Sequence, residues 1–456
     1  MSNPLVATPE AFAAECTAFT AAHGAVETVE VLLVDLNGVV RGKWLPANAL
    51  GKLALEGARL PRSTYGLDVW GEDVDAAGIA LATGDPDGFL KPAPGTLVPV
   101  PWAQRPTAQI LTSLLEPDQR TPCPLDPRRV LQREVDALAS LGLRPMVALE
   151  LEFYVIAADG SAAAPPPGTP TTGSQLYDLD VMRHFAGLLG AMAAHCTVQG
   201  LPTDTAIAEF GPGQFEINLH HVADAVRAAD HAVLLRRCLK QTARAHGLDA
   251  TFMAKPYGDQ SGSGMHVHVS LLDDDDRPVF ADPAGDVAPS LRAAIAGVLA
   301  TAADNQLVFA PTANAYRRFQ HSSYAPLVAC WGFDNRNAAV RVPATTGRAA
   351  RLEHRVAGAD ANPYLVVAAI LAGIRQGIIE KLALGPPVDG DRIGTAGLAF
   401  TDRWGEAIQR FRDADHPRSW LEPEVHRAFV TAKEKERATM LTRVSDVEYA
   451  TYLRRF

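Results

Sequence analysis

The stretch SGSGMHVHVS, residues 261–270, has the alternating pattern of a β-strand. Side chains two positions apart in a strand point the same way, so His266 and His268 share one face. The opposite face carries Met265, Val267 and Val269. Gly262 and Gly264, just upstream, allow the backbone to approach another group closely. On its own the stretch favours two solvated or hydrogen-bonded histidines, and only the rest of the chain can make them ligands.

Composition predicts a large globular protein. The chain has 456 residues, of which 47 % are hydrophobic and 21 % are charged, and its formal net charge is −10. An acidic balance argues against a nucleic-acid partner, and no apolar run approaches the ~20 residues that cross a membrane. The N-terminus lacks a basic signal region, and the five cysteines show no CxxC spacing. These features predict reduced thiols and a cytoplasmic location.

Turn signals divide the chain into two predicted domains. VEVLLVD at 29–35, followed by Asn37-Gly38, predicts a β-hairpin. A Pro/Gly-rich stretch at 84–106 predicts a boundary. We therefore expect a small N-terminal domain over 1–106 and a larger domain over 107–456.

Local patterns in the second domain mix helices with strands. Asp126-Pro127 has the residue types that begin a helix, and MVALELEFYVI at 146–156 reads as a strand. An amphipathic helix is expected over 222–246, a surface loop over 160–173 and a solvated turn at the DDDD run, 273–276. Strands and helices alternate irregularly, which predicts an α+β fold instead of a doubly wound sheet.

Acidic residues stand where a strand normally buries apolar side chains. In ALELEF, Glu150 and Glu152 face one side of the predicted strand, and Glu209 and Glu216 flank a Gly-Pro-Gly turn that could bring them together. Glu353 lies in a third segment. Carboxylates gathered with a histidine suit hard divalent cations such as Mg²⁺ or Mn²⁺. A surface ion-pair network is the alternative, but it explains paired acids on an apolar strand poorly.

Basic residues concentrate in the segment that follows. The arginines are Arg317, Arg318, Arg336, Arg341, Arg348, Arg351 and Arg355. Guanidinium groups can bind phosphate oxygens through two parallel hydrogen bonds. Cation ligands and arginines without an obvious covalent nucleophile are typical of phosphoryl transfer. Exposed ion pairs remain an alternative for the arginines alone.

Six motifs in order make the chain resemble the glutamine synthetase family. They are ELEF, EFGPGQFEINL, GSGMHVHVS, AYRRF, DNRNAAVRVP and RLEHRVAGADANPYL. The resemblance covers roughly residues 100–380. It implies a β-grasp-like N-terminal domain, a catalytic domain with a curved antiparallel sheet, and a homo-oligomer, commonly a dodecamer of two stacked rings with active sites between neighbours.

The resemblance also implies a role for each matching residue. Two or more divalent ions would be held by Glu152, Glu209 and Glu216 and by Glu150, His266 and Glu353. ATP would be bound by His268, Ser270, Arg341 and Arg351. The substrate L-glutamate would be bound by Gly262, Arg318 and Arg355. Arg318, Arg336, Arg355 and Tyr324 would act at the reacting groups.

Departures from the family pattern fall on the ammonia site. Ammonia-using members carry an acidic flap residue six positions after the substrate arginine, and this chain has Tyr324 there. Their DGSS motif is absent from LPRSTYGLDVWGED, so Asp68, Glu72 and Asp73 are only candidates for the base that deprotonates the amine. Ser261 replaces the family's asparagine before Gly262.

We therefore expect ATP-dependent ligation of the γ-carboxylate of L-glutamate to an organic amine through γ-glutamyl phosphate. The block RLEHRVAGADANPYL favours the branch of glutamate–putrescine and γ-glutamylpolyamine ligases, so putrescine or spermidine is the expected amine. The alternatives are an ammonia-using glutamine synthetase and, less favoured, an inactive paralogue.

Overall fold

The computed structural model describes residues 5–163, 174–321, 323–390 and 398–456. The strands are β1 (Thr28–Val34), β2 (Val40–Pro46), β3 (Ala58–Pro61), β4 (Asp87–Pro92), β5 (Val98–Pro99), β6 (Thr107–Leu115), β7 (Arg144–Ile156), β8 (Thr203–Ala208), β9 (Gln214–Leu219), β10 (Asp249–Thr251), β11 (Met265–Leu272), β12 (Trp331–Phe333), β13 (Val340–Ala344) and β14 (Arg351–His354). The α-helices are α1 (Pro9–His23), α2 (Leu53–Glu56), α3 (Pro127–Ala139), α4 (Leu179–His184), α5 (Ala186–Val198), α6 (Ala225–Ala245), α7 (Pro289–Ala302), α8 (Gln306–Phe309), α9 (Pro363–Glu380), α10 (Trp404–Asp413), α11 (Asp415–Trp420), α12 (Pro423–Leu441) and α13 (Asp446–Tyr452).

The first sheet has the strand order β2-β1-β6-β4-β3, with β5 also paired to β6. The hairpin of β1 and β2 confirms the turn predicted at Asn37-Gly38, where Gly38 has a φ of +77°. Strand β6 pairs in parallel with β1 and antiparallel with β4. Because β6 belongs to this sheet, a division after residue 106 would separate it from its partners. The domain limit at residue 106 stays a prediction, and the first sheet extends past it to Leu115.

The second sheet has the strand order β12-β13-β14-β11-β7-β9-β8, with β10 also paired to β7. Its pairs are antiparallel except for β12 with β13. Strand β7 confirms the strand predicted at 146–156. One face of β7 is fully buried and carries Val147, Leu149, Leu151, Phe153 and Val155. The α+β class and the antiparallel catalytic sheet are therefore confirmed.

Helices α3 and α6 contact β7 and cover the apolar side of this sheet. Helix α3 begins after Asp126, whose carboxylate accepts a hydrogen bond from the Arg128 amide, as the Asp-Pro pattern predicts. Helix α6 occupies most of the segment predicted at 222–246. Helix α9 is apolar enough and long enough to cross a membrane, but it is largely buried in the protein, as expected of a core helix.

The remaining local predictions fall on loops and cysteines. The DDDD run forms a turn between β11 and Pro278, which bridges back to Leu272. Most of the loop predicted at 160–173 lies outside the described residues. All five cysteines are free thiols.

A buried polar network connects helices α3, α6 and α9 with strand β6 of the first sheet. Arg128 on α3 makes two hydrogen bonds to Asp230 on α6, at 2.9 and 3.1 Å. Tyr364 on α9 donates to the same carboxylate, and Arg128 also donates to Ser113 on β6. Both charged side chains are at least 95 % buried. A buried pair becomes costly when one partner is lost, because the other charge stays unpaired.

We expect Asp230→Asn to lower the free energy of unfolding by about 3–5 kcal/mol, since Arg128 would keep a buried charge without its counter-ion. Urea unfolding followed by circular dichroism measures this change. The matched control is Asp276→Asn, which breaks an exposed ion pair with Arg144 and should cost about 1 kcal/mol or less. Equal effects of the two substitutions would contradict a special role for the buried pair.

Candidate active site

Strand register brings the predicted acidic ligands together on the face of the second sheet opposite the helices. Glu150 on β7 lies across from His266 on β11, and Glu152 lies across from Glu216 on β9. His266 Nδ1 is 3.5 Å from Glu150, 3.9 Å from Glu216 and 3.9 Å from Glu353. The histidine therefore stands at the centre of the carboxylates.

Among the described residues, three sets of acidic and histidine side chains are compact enough to hold a cation. In each set, one ligand atom per residue lies within 4.8 Å of the others. The sets are Glu152, Glu209 and Glu216; Glu150, Glu216 and His266; and Glu150, His268 and Glu353. The first is the predicted ligand set of one ion. The second predicted set is divided, because His266 and Glu353 fall in different groups that share Glu150.

In the first set, the neighbouring positive charges do not compensate the carboxylates. Burial, with the charge of Glu152, raises the pKa of Glu209 to about 7. Burial and the neighbouring carboxylates also raise the pKa of Glu216 well above its ordinary value. Like charges in one buried site are unfavourable unless a cation compensates them. Carboxylate oxygens in such surplus fit Mg²⁺ or Mn²⁺.

The other end of the site is already compensated by basic groups. Arg341 donates to Glu353 at 2.6 Å, and Arg355 pairs with the second oxygen of the same carboxylate. Burial opposes the ionisation of Glu353, but Arg355 and the other cations lower its pKa to about 2. Burial likewise raises the pKa of Glu150, but hydrogen bonds from His266 and His268 bring it below the ordinary value.

His268 is held in one tautomer by its neighbours. Arg351 Nε donates to His268 Nδ1 at 3.2 Å, so His268 Nε2 carries the hydrogen and donates to Glu150 at 2.9 Å. Ser270, on the same face of β11, donates to the Ala350 carbonyl and is buried. His221, which the sequence analysis did not single out, places its ring 5.8 Å from the ring of His268.

Arg318 occupies a slot formed by glycines. A Cβ on Gly262 would lie 2.7 Å from Arg318 Cγ, and a Cβ on Gly264 would lie 3.1 Å from His266 Nε2 and 3.3 Å from Arg318 Nη2. Side chains at either position would displace these groups, which explains the two glycines before the histidines. The Gly264 amide also donates to Glu152 at 2.7 Å.

The Arg318 guanidinium retains unused donors although the residue is only 5 % exposed. Within the part of the chain that the structure describes, it makes one hydrogen bond, from Nη1 to the Val356 carbonyl, and no ion pair. A buried guanidinium with free N–H groups beside His266 is suited to bind a carboxylate.

The remaining predicted residues lie at the edge of the site or in the N-terminal region: Arg336 and Tyr324 are exposed, and Asp68 is buried. Arg336 is exposed and contributes positive charge near Glu209, while its carbonyl accepts from Arg355. Tyr324 is 65 % exposed. Asp68 is buried, accepts from the amides of Trp70 and Glu72, and pairs with Lys435 at 2.7 Å. These contacts tie Asp68 to α12, and its suggested role as a base stays a prediction.

Comparisons with known proteins identify the class of this site. Residues 124–452 match the family model "Glutamine synthetase, catalytic domain". The chain is 40 % identical over 418 residues to "Gamma-glutamylputrescine synthetase PuuA" of Escherichia coli (strain K12), covering 90 % of this chain and 88 % of that protein. The chain therefore belongs to the glutamine synthetase family, whose enzymes use ATP and divalent metals.

Further relatives carry names of ligases for other amines. "Glutamate--isopropylamine ligase" of Pseudomonas sp is 35 % identical, with 80 % of this chain and 81 % of that protein covered. "Gamma-glutamylethanolamide synthetase GlnA4" of Streptomyces coelicolor is 33 % identical, with 81 % and 80 % covered. The solved structure "GmaS/ADP complex-Conformation 1" superposes with a TM-score of 0.85 at 26 % identity, covering 96 % of this chain and 98 % of that chain.

Glu216 is shared by two of the three ligand sets, so Glu216→Gln should weaken Mn²⁺ binding at least about tenfold. It should also raise the free energy of unfolding of the metal-free protein by about 1–2 kcal/mol, because one of the mutually repelling carboxylates becomes neutral. Electron paramagnetic resonance of free Mn²⁺ and thermal unfolding in chelator measure the two effects. The control Glu380→Gln, on the exposed end of α9, should change neither. A Glu216 variant with normal Mn²⁺ affinity would contradict the assignment.

Proposed function

We propose that the chain joins the γ-carboxylate of L-glutamate to an organic amine at the expense of ATP. One observation carries this proposal: a cluster of carboxylates short of positive charge lies beside a buried arginine with unused donors. The cluster suits divalent cations, and Arg318 suits the carboxylate of an amino acid. The relatives named as glutamate–amine ligases support the same reaction.

The acidic side chains would hold two or more Mg²⁺ or Mn²⁺ ions. Glu152, Glu209 and Glu216 would bind one ion, and Glu150, His266 and Glu353 would bind another. Bound divalent ions supply positive charge for phosphate oxygens. The protein's own contribution is to hold the ligands in register on rigid strands.

Basic side chains would divide between the two substrates. Gly262, Arg318 and Arg355 would bind L-glutamate; Gly262 packs against Arg318, and burial together with the charge of the nearby Arg355 lowers the pKa of the Arg318 guanidinium. The ATP side would be formed by His268, Ser270, Arg341 and Arg351. Arg336, exposed on a loop and close enough to influence Glu209, would meet the transferred phosphate.

The reaction would take place in two steps. A γ-carboxylate oxygen of glutamate attacks the terminal phosphorus of ATP and releases ADP, giving γ-glutamyl phosphate. The neutral nitrogen of the amine then attacks the acyl carbon, phosphate leaves, and the nitrogen loses one proton. Arg336 and Arg355 would stabilise the charge that develops on the phosphate and on the tetrahedral intermediate.

The amine would be organic, with putrescine or spermidine as the expected substrate. Tyr324 replaces the acid expected on the ammonia-using flap, and an exposed aromatic ring can pack against an alkyl chain or a cation. Asp68, Glu72 and Asp73 stay candidates for the base, and Lys435 lies 2.7 Å from Asp68 and 3.2 Å from Glu72.

An ammonia-using glutamine synthetase is the second candidate. A "Glutamine synthetase" of Pyrococcus horikoshii is 32 % identical, with 78 % of this chain and 75 % of that protein covered. The altered flap and the missing DGSS motif speak against it. An inactive paralogue is less favoured still, because the cation ligands come together in space.

We also propose a cytoplasmic homo-oligomer, a dodecamer of two stacked rings. The exposed Trp44 on β2 supports an interface there, because β2 is an edge strand and its tryptophan is 73 % exposed.

The proposal is tested by measuring ADP release with L-glutamate, ATP and Mg²⁺ when the nitrogen donor is ammonia, putrescine, spermidine, ethanolamine or a simple monoamine. We expect an organic amine to give the highest kcat/KM. In the same assay we expect Glu353→Gln to lower turnover at least about a hundredfold, because it removes a proposed metal ligand and the counter-ion of two arginines. Ammonia as the best substrate would select the second candidate. No turnover with any amine would leave the inactive paralogue.

We expect Tyr324→Glu to raise kcat/KM for ammonium relative to that for the preferred organic amine by about tenfold. A carboxylate attracts a small charged donor, whereas removal of the ring takes away apolar contact with an alkyl chain. Initial rates with both nitrogen donors measure the ratio. Tyr324→Phe is the control and should keep the wild-type preference. An unchanged ratio in Tyr324→Glu would show that Tyr324 does not face the amine.

A further inference from the structure

Two buried glutamines form a clamp beneath the active site. Gln175 precedes α4, and Gln214 opens β9; they are 4 % and 1 % exposed. Within residues 5–163 and 174–321 and the other described segments, their amide groups make hydrogen bonds only to main-chain atoms. The sequence analysis quoted the motif that contains Gln214 but gave that residue no role. Amides buried this deeply are satisfied at every polar atom or become costly, so their partners matter.

Gln175 binds the turn between Glu209 and Glu216, which are two of the three carboxylates of the first ligand set. Its Oε1 accepts from the Gly213 amide at 3.0 Å, and its Nε2 donates to the Gln214 carbonyl at 2.8 Å. The same Gln214 carbonyl accepts from the Glu209 amide at 2.9 Å. The hydrogen bonds of Gln175 therefore fix the shape of the chain from Glu209 to Gln214.

Gln214 binds this turn and also reaches a different segment. Its Oε1 accepts from the Gly211 amide at 3.0 Å, and its Nε2 donates to the Gly262 carbonyl at 3.0 Å. The partners determine the orientation of the amide, because an N–H must meet the oxygen and a carbonyl must meet the nitrogen. Gln214 thus connects the turn between Glu209 and Gln214 with the segment at Gly262 that leads into β11.

Gly262 in turn packs against the side chain of Arg318. The arginine stem lies so close to Gly262 that a Cβ there would be 2.7 Å from Cγ and 3.3 Å from Cδ. A rotation of the Gly262 peptide would therefore move the surface on which Arg318 packs. Closely packed interiors transmit such displacements instead of absorbing them.

We propose that Gln214 is a positioning residue that sets the distance between the cation-binding carboxylates and the arginine that binds the substrate. Gln175 supports the carboxylate turn alone. This inference rests on the proposed function for the identity of the substrate, but the hydrogen bonds are independent of it. Side chains behind metal ligands commonly change affinity or activity 10–100-fold when they are replaced.

Two variants and a control separate the two contacts. Gln214→Leu removes both contacts, and Gln175→Leu removes only contacts to the turn. Gln199→Leu is the matched control, since Gln199 is another buried glutamine, 3 % exposed, that binds the Pro99 carbonyl.

The measurements are the KM for L-glutamate at saturating ATP, amine and Mg²⁺, and the Kd for Mn²⁺ without substrates. We expect Gln214→Leu to raise the KM for glutamate about tenfold and to weaken Mn²⁺ binding about tenfold, because both contacts are lost. Gln175→Leu should weaken Mn²⁺ binding about tenfold and leave the KM for glutamate within about twofold. Gln199→Leu should change neither.

A wild-type KM in Gln214→Leu, or identical changes in Gln214→Leu and Gln175→Leu, would overturn the proposal. Thermal unfolding of every variant separates a general loss of folding from a local effect. Absence of glutamate-dependent ADP release in the wild-type protein would reject the proposed function. The Mn²⁺ measurement needs no turnover, so it would still decide whether the clamp supports the carboxylates.

Discussion

The register of β7 against its neighbours is the constraint on which the active site depends. It places Glu150 opposite His266 and Glu152 opposite Glu216, and the next pairing places His268 opposite Glu353. A slip of β7 by one residue would turn Glu150 and Glu152 toward the helices, because alternate residues of a strand face opposite sides. The apolar residues on the other face prevent that slip, since they would lose their buried positions. Core packing and ligand geometry are therefore two consequences of one alternation.

Charge is distributed unevenly within the cluster that this register creates. Glu353 is neutralised by Arg341 and Arg355, and Glu150 is held by two histidines. Among the described residues, no arginine makes a hydrogen bond to Glu209 or Glu216, and burial with neighbouring carboxylates raises the pKa of both groups. A stable core thus supports a locally unfavourable arrangement, and such conflicts between stability and local charge are typical of functional sites.

The features that were predictable from the sequence are those with a local period or a local turn. The hairpin at Asn37-Gly38 and strand β7 followed from alternation and turn residues, whereas the first ligand set followed from the family resemblance. The place of β6 did not, because its parallel pairing with β1 joins segments far apart in sequence. The clamp of Gln175 and Gln214 was also missed, since its partners are main-chain atoms whose positions only the folded chain defines. The contact between Asp68 and Lys435 was missed for the same reason, because the two residues lie far apart in the sequence.

In the proposed reaction, activation of the carboxylate and choice of the amine would be physically separate. Most of the proposed cation ligands stand on paired strands, Glu209 stands in the turn before β9, and Arg318 packs against glycines. Tyr324, by contrast, stands exposed on a loop, and the segment around Asp68 is tied to α12 instead of to the second sheet. Loop residues can change without disturbing the register that assembles the ligands. Such a separation would account for relatives that are 33–40 % identical to this chain and carry the names of ligases for three different amines.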